Sequence, residues 1–304
     1  MLRELNQDER SVYFRGIQPI WGGGLDEVRF TLFQRRLADS PEAAGRYRLL
    51  GWFEAGALTA SMKAYELRGS YAGREVKLLG IGAVFTPPPL RRNGHAAAML
   101  RAAMEECVPR GFDAAVLFSD IDAGYYVRLG FRSLESRECL VDLDGLPRTG
   151  DYAPAAPADA ASMSQIFARS RADESRLMLS RDGWALRLQL RRLRELARAR
   201  GVGEPEWGVV ADGGAAMFRH GRDTVDVLDA AWTNDKARDA ILAGLRDAVL
   251  RSGRTRLRLW PAHQLRGMFE AKERPNAIAM IAGLGHDPLP ERGASAELSL
   301  LDHI

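Results

Sequence analysis

Cysteine is nearly absent from this chain, with two in 304 residues, Cys107 and Cys139. Two thiols make no disulfide framework, and neither has a metal-ligand companion nearby. No metal is expected, and the chain reads as one of a reduced cytoplasm. Lysine is scarce as well: among 43 basic residues only Lys63, Lys77, Lys236 and Lys272 are lysines. Codon bias in a GC-rich bacterium accounts for such a preference. A large charge of one sign is also missing, since the net charge is +3, and no nucleic-acid partner is expected. No apolar run approaches the roughly 20 residues that span a bilayer. No apolar stretch follows Met1-Leu2-Arg3-Glu4, so neither a membrane nor a secretory signal is expected. What is left, 46% hydrophobic and 27% charged residues, is the composition of a soluble globular chain with room for two domains.

The hydrophobic pattern predicts helices over 7–17 and 25–37, separated by Trp21-Gly22-Gly23-Gly24. Strands are expected over 46–53, 57–67 and 77–86, with turns at Gly56 and between Gly69 and Gly73. Ala96, Leu100, Ala103 and Cys107 recur at helical spacing over 94–108, which makes Cys107 a buried structural thiol. A buried strand over 114–119, a short helix over 123–129 and a strand pair within 131–143 follow. Residues 147–158 hold Pro147, Gly150, Pro154 and Pro157 among small residues, and are expected to link a domain of residues 1–146 to one of 159–304. The second half repeats the order: helices over 158–170 and 184–200, a three-strand meander within 207–231, a helix over 235–251, and strands near 255–260 and 277–281.

The chemistry is written between residues 78 and 96. A strand ends at Thr86 before Pro87-Pro88-Pro89, and Arg91-Arg92-Asn93-Gly94-His95-Ala96 opens the next helix. The first turn of a helix has unsatisfied N–H groups and the positive end of the dipole. Gly94 and Ala96 allow a phosphate close to that backbone, and Arg91 and Arg92 add charge. Downstream, Ser119-Asp120-Ile121 closes a strand and leads to Tyr125-Tyr126-Val127-Arg128-Leu129-Gly130-Phe131.

In these residues the sequence resembles the Gcn5-related N-acetyltransferase (GNAT) superfamily. Its Arg/Gln-x-x-Gly-x-Gly/Ala loop matches Arg91, Gly94 and Ala96, and its Tyr-x-x-x-Gly-Phe segment matches Tyr126, Gly130 and Phe131. The likeness covers about residues 45–135. Narrower similarities run to the fungal lysine N-acetyltransferase type and to the tandem enhanced-intracellular-survival acetyltransferases. The resemblance implies an α/β fold: a mixed sheet with splayed parallel strands, followed by a second, degenerate GNAT-like domain. It implies acetyl-CoA as co-substrate, no metal, and transfer to a primary amine of a small molecule by direct attack. The cofactor would lie on Val84, Phe85, Thr86, Arg91, Arg92, Asn93, Gly94, His95, Ala96 and Ser119, with Tyr126 as proton donor to the leaving thiolate. Trp21, Glu54 and Asp120 are substrate candidates. For the base, Glu54, Glu66, Asp120, Asp122 and a water relay stay open. A non-catalytic CoA-binding sensor or scaffold with a protein partner is the alternative.

Several of these residues have plainer readings. Tyr125 is expected to pack, His95 to sit at the surface without a catalytic role, and Asp120 to cap a helix or bind substrate. Arg187, Arg191, Arg192, Arg194 and Arg198 are expected to form the solvated face of a packed helix. In the second half the position of the cradle reads Trp232-Thr233-Asn234-Asp235-Lys236. It lacks glycine and carries an acid that repels phosphate, so this half is expected not to bind CoA. Its expected work is to shape the acceptor pocket, support the first sheet or form a homodimer, the commonest soluble assembly. The apolar tail 298–304 is expected to dock on the protein.

Overall fold

A computed structural model describes residues 1–120, 122–156, 159–170, 176–203, 206–284 and 296–299. Ile121, Pro157 and Ala158, and residues 300–304 of the tail, lie outside the described residues. The first half runs β1 (Leu2–Glu4), α1 (Gln7–Trp21), α2 (Glu27–Ala38), β2 (Tyr47–Glu54), β3 (Ala57–Tyr71), β4 (Arg74–Phe85), α3 (His95–Cys107), β5 (Ala114–Ser119), α4 (Ala123–Val127), β6 (Arg132–Ser133) and β7 (Arg137–Asp142). The second continues through β8 (Ala153–Pro154), α5 (Asp159–Arg169), β9 (Leu177–Leu179), α6 (Gly183–Arg200), β10 (Gly208–Ala211), β11 (Gly214–His220), β12 (Thr224–Trp232), α7 (Asp235–Arg251), β13 (Arg256–Leu259), β14 (Lys272–Glu273), β15 (Ile278–Gly283) and β16 (Ala296–Glu297).

The strands form two mixed sheets. The first has the order β1-β2-β3-β4-β5-β15-β6, with β9 on β3 and β16 on β9; the second has the order β14-β7-β13-β12-β11-β10-β8. In the first sheet alternate residues serve opposite faces, as the period of a strand requires. Tyr65, Leu67, Leu78 and Val116 pack beneath α1 and α2. Met62, Ala64, Leu79 and Leu117 pack beneath α3, together with Cys107. Both cysteines are buried free thiols in separate cores.

The expected strand pair within 131–143 does not form. β6 pairs with β15, and β7 crosses to the second sheet, where it lies between β13 and β14. In return β15, almost at the end of the chain, lies antiparallel between β5 and β6 of the first sheet. The strands therefore do not divide at the proline-rich segment. Part of that segment is itself structured: Ala153–Pro154 edges the second sheet, and Tyr152 packs into the second core. β3 also runs past its expected end to Tyr71, paired with β4 as far as Arg74, and β9 joins it at Gly69 and Ser70. Gly69 is required there, since a Cβ would lie 2.3 Å from the Met178 carbonyl oxygen.

α6 is packed as expected, but its basic face is less solvated than expected. Leu186, Leu190 and Leu193 enter the core of the second half, while Trp184, Leu188, Leu196 and Ala199 pack against the first. Two apolar stripes on one helix leave little of it for water. Buried Glu195 takes ion pairs from Arg191, Arg198 and Arg36 at 3.1, 3.2 and 3.8 Å, so part of the basic face is neutralised internally.

Candidate active site

β4 and β5 run in parallel register only from Leu78↔Ala114 to Ile81↔Leu117. Beyond that point β4 bulges. Its register against β3 passes from Gly82↔Lys63 to Phe85↔Ser61, so it spends one more residue than β3 over the same span. A bulge bends its strand and breaks the ladder, leaving the backbone of residues 82–85 without a β5 partner. Ala83 takes the left-handed conformation at φ 45°, unusual for a residue with a Cβ. The Tyr13 hydroxyl of α1 holds it by donating to the Ala83 carbonyl at 2.6 Å. Tyr13 is fully buried, so this clamp excludes water.

Past the bulge the chain turns into α3. Gly94 is the N-cap, at φ 83° with no side-chain cap hydrogen bond, and a Cβ built on it meets nothing within 4 Å. Arg92 is also left-handed, at φ 67°. Arg91 donates to the Thr86 carbonyl at 3.2 Å, and both arginines are exposed. The first N–H groups of α3 therefore face open space beside two guanidinium groups, which is a fit for a pyrophosphate. The corresponding start of α7 is closed: the Asn234 side chain accepts from the Ala237 N–H, and Asp235 lies in the first turn.

A cleft of about 190 Å³ opens at the splayed strands. Trp21, Val84, Asp120 and Tyr126 line it. The Trp21 indole donates to Asp120 at 3.3 Å, which ties the glycine-rich turn between α1 and α2 to the end of β5. Tyr126 stands on α4, which Asp122 caps by accepting from the Gly124 N–H. Its ring packs edge-on to Tyr125 and Phe131 at 5.1 and 6.0 Å. Burial first, then Tyr125 and Asp120, push its hydroxyl up to about 12, so it holds its proton at neutral pH. Ser119 is buried at the end of β5, paired in register with Ile278.

Other candidates fall elsewhere. Glu54 is exposed and does not line the cleft; it accepts from the Trp52 indole at 2.8 Å and lies 3.0 Å from His95 Nδ1. Those two hydrogen bonds, Trp52 first, hold its carboxyl below the usual range. Glu66 pairs with Lys77 and Arg110 at 3.4 and 3.6 Å, away from the cleft. Asp122 is occupied as a cap. Of the four carboxylates considered as base, Asp120 alone lines the cleft. Phe85 packs under α1, where its ring would meet a Cβ on Gly16 at 2.5 Å.

Lys63, Arg192 and Arg219 also line the cleft, and the sequence did not single out Lys63 or Arg219 for function. Lys63 donates to Gln34 Oε1 at 2.9 Å. Burial, and then Arg192, lower its ammonium to about 7. One signal for Lys63 was available: it is one of four lysines and lies in the strand run Ser61-Met62-Lys63-Ala64-Tyr65. Arg192 comes from the face of α6 expected to be solvated. Among the described residues no group of three or more His, Cys, Asp and Glu could hold a metal ion, and no helix is long and apolar enough to cross a membrane.

Residues 21–134 match the family described as Acetyltransferase (GNAT) domain. No curated protein sequence matches the chain. Solved structures match across nearly all of it. A GCN5-related N-acetyltransferase from Kribbella flavida superposes with a TM-score of 0.68 at 16% identity, covering 92% of this chain and 70% of that one. Eis1 from Mycobacterium abscessus gives 0.58 at 19% identity, over 93% and 74%. A tandem GNAT protein from the clavulanic acid biosynthesis pathway gives 0.52 at 12% identity, over 95% and 99%. At these identities the structures share the fold, and the fold includes the tandem arrangement.

Proposed function

We propose, from the match of residues 21–134 to the GNAT acetyltransferase domain, that the protein moves an acetyl group from acetyl-CoA to a primary amine of a small molecule. The observation that carries this reading is one cleft in which the bulged end of β4 faces Tyr126, beside the uncapped start of α3. Acetyl-CoA, when bound, supplies an acetyl thioester. Arg91, Arg92, Asn93, Gly94, His95 and Ala96 hold its pyrophosphate through backbone N–H groups and charge, and Ser119 lies across the gap. Val84, Phe85 and Thr86, past the last residue of β4 that pairs with β5, turn that side of their backbone to the pantetheine arm, and an N–H of the bulge polarises the acyl carbonyl.

Trp21 and Asp120 hold the acceptor at the rim, where the carboxylate attracts an ammonium. The ammonium first gives up a proton, through Asp120 or water, to become a neutral amine; its N–C bond then forms as the C–S bond breaks, Tyr126 gives its proton to the leaving sulfur, and the proton shed by the nitrogen restores the phenol. A phenol kept neutral by burial suits that task. The second half binds no CoA in this reading, and its α6 and β11 complete the acceptor wall.

The test is calorimetry of acetyl-CoA on the full chain and on Gly94→Glu, whose carboxylate would fill the cradle with negative charge. Binding by the first and none by the second, together with amine-dependent release of free thiol, is expected. No binding by the native chain refutes the reading. Binding without turnover on any amine would favour a CoA-binding sensor.

A further inference from the structure

An amine attacks only when its nitrogen is unprotonated, and near neutral pH an ordinary alkyl amine holds its proton. Of the acids considered above, Glu54, Glu66 and Asp122 do not line the cleft, and Asp120 is exposed at its rim. Lys63 is inside. On β3 it pairs with Gly82, the residue at which the bulge of β4 begins, and the next pair along is Ser61 with Phe85. Paired residues on neighbouring strands stand on the same face, and Gly82 puts no side chain beside Lys63. Strand alternation sets Lys63 on the face of Tyr65 and Leu67, beneath α2. It lines the cleft and also an adjoining chamber of about 50 Å³ between Tyr47, Tyr65 and Trp184.

The surroundings of this lysine favour the amine over the ammonium. Nζ donates to Gln34 Oε1 at 2.9 Å, and Gln34 is buried. Among the described residues no carboxylate makes an ion pair with Lys63. Lys77 on β4 shows the contrast, since it holds Glu66 at 3.4 Å. An ammonium taken from water with a neutral amide as its partner is poorly compensated, and Arg192 adds like charge from α6. A neutral amine in the same place keeps one N–H on Gln34 and has a second N–H and a lone pair left for the cleft. The guanidinium groups around it, and the phenols of Tyr47, Tyr65 and Tyr126, which burial pushes up, keep one charge state near neutral pH. Asp120 and Lys63 are then the two side chains of the lining that can take up a proton. A carboxylate in water is a far weaker base than an amine.

Resting on the transferase reading above, we infer that Lys63 is the base of the reaction: as a neutral amine it takes, through water, the proton that the acceptor ammonium sheds. The ammonium is drawn to the rim by Asp120 and loses that proton inward, and Lys63 becomes an ammonium held on Gln34. The freed nitrogen attacks the thioester, the C–S bond breaks, and proton exchange through Tyr126 leaves a thiol and an amide. Lys63 returns its proton to solvent before the next cycle, so each turnover releases one proton. A base is best matched to such a step when its pKa lies near the working pH, and burial with Arg192 brings Lys63 to about 7.

Two measurements on the full-length chain test this. The first needs no acceptor. Trace labelling with acetic anhydride from about pH 5.5 to 9.5, read by peptide mass spectrometry, follows the neutral form of each lysine. Exposed Lys236 and Lys272 serve as internal standards for the reagent. Lys63 should reach half of its full reactivity near pH 7. A half-point in the ordinary lysine range, near pH 10, overturns the inference. A Lys63 that stays unlabelled at every pH is out of reach of the cleft and overturns it as well.

In the second, thiol release from acetyl-CoA is compared for ethylamine and 2,2,2-trifluoroethylamine at about pH 7.5. The two are close in shape, but the fluorines leave the second unprotonated there, so it needs no base. Lys63→Met should lower kcat/KM for ethylamine about 10²-fold, and for trifluoroethylamine about threefold at most. Acetyl-CoA affinity, measured by calorimetry, should stay unchanged, which separates lost proton transfer from lost fold. An equal loss on both amines overturns the inference and leaves the transferase reading standing. Labelling of Lys63 near pH 7 in a chain that turns over no amine counts against the transferase reading, and the inference falls with it.

Discussion

Replacing Lys63 by methionine should make the ligand-free protein more stable. Burial and the neighbouring Arg192 bring the Lys63 ammonium from 10.5 to about 7. At 1.36 kcal/mol per pH unit, that fall makes the charged form roughly 5 kcal/mol less favourable in the fold than in the unfolded chain. Lys63 keeps some contact with water in the cleft, so screening reduces the effective penalty to about 2–4 kcal/mol. Methionine keeps the volume and removes the charge, but it leaves the Gln34 amide without its donor, a loss of about 1 kcal/mol. The net gain expected near pH 6 is about 1–3 kcal/mol. Between about pH 7 and 10.5 the unfolded chain still carries a proton that the native chain has released, so native stability rises with pH and the advantage of the variant shrinks. Urea unfolding of both proteins near pH 6, 7.5 and 9 measures this. A variant less stable near pH 6, or an advantage that does not change with pH, would refute the assignment of Lys63 as a cation held at a loss.

Tyr126→Phe should bind acetyl-CoA as the native chain does and lose about 10²-fold in kcat, the usual contribution of a general acid; an unchanged kcat removes Tyr126 from the mechanism. Tyr13→Phe should lower stability by about 1–2 kcal/mol, because the Ala83 carbonyl loses its donor. It should also lower kcat/KM as the bulge relaxes, and a change in stability alone would mean the clamp does not position the site.

What the sequence revealed of this site is local in origin. Gly94 and Ala96 are legible because a backbone that must receive a phosphate needs small residues within one turn. Tyr126 is legible because it lies at fixed spacing from Gly130 and Phe131. Strand and helix limits followed from alternation and periodicity, and most fall within a few residues of their observed positions. Lys63 was hidden because a lysine between Met62 and Ala64 reads as the wet side of a strand; the cover that buries it comes from α6, about 130 residues away. Arg192 was hidden for the complementary reason: one leucine stripe satisfies the pattern of an amphipathic helix, and Leu188 and Leu196 lie with Arg192 on the face that this pattern gives to solvent. The bulge at Ala83 has no Pro or Asx residue to announce it, and it depends on a tyrosine from another element. The crossing of β7 and β15 between sheets is a long-range pairing that no local rule encodes.

That crossing sets an order of events during synthesis. β5 bears Ser119 and leads to Asp120, yet its outer neighbour is β15, which reaches residue 283. A nascent chain with its first 146 residues outside the ribosome has β5 as an open edge and β7 without a sheet to join. Such a chain must wait, with apolar strands exposed to chaperones, until almost the whole polypeptide has emerged. The two halves therefore mature together in one late step, and a separately expressed first half would lack a strand from the middle of its own sheet.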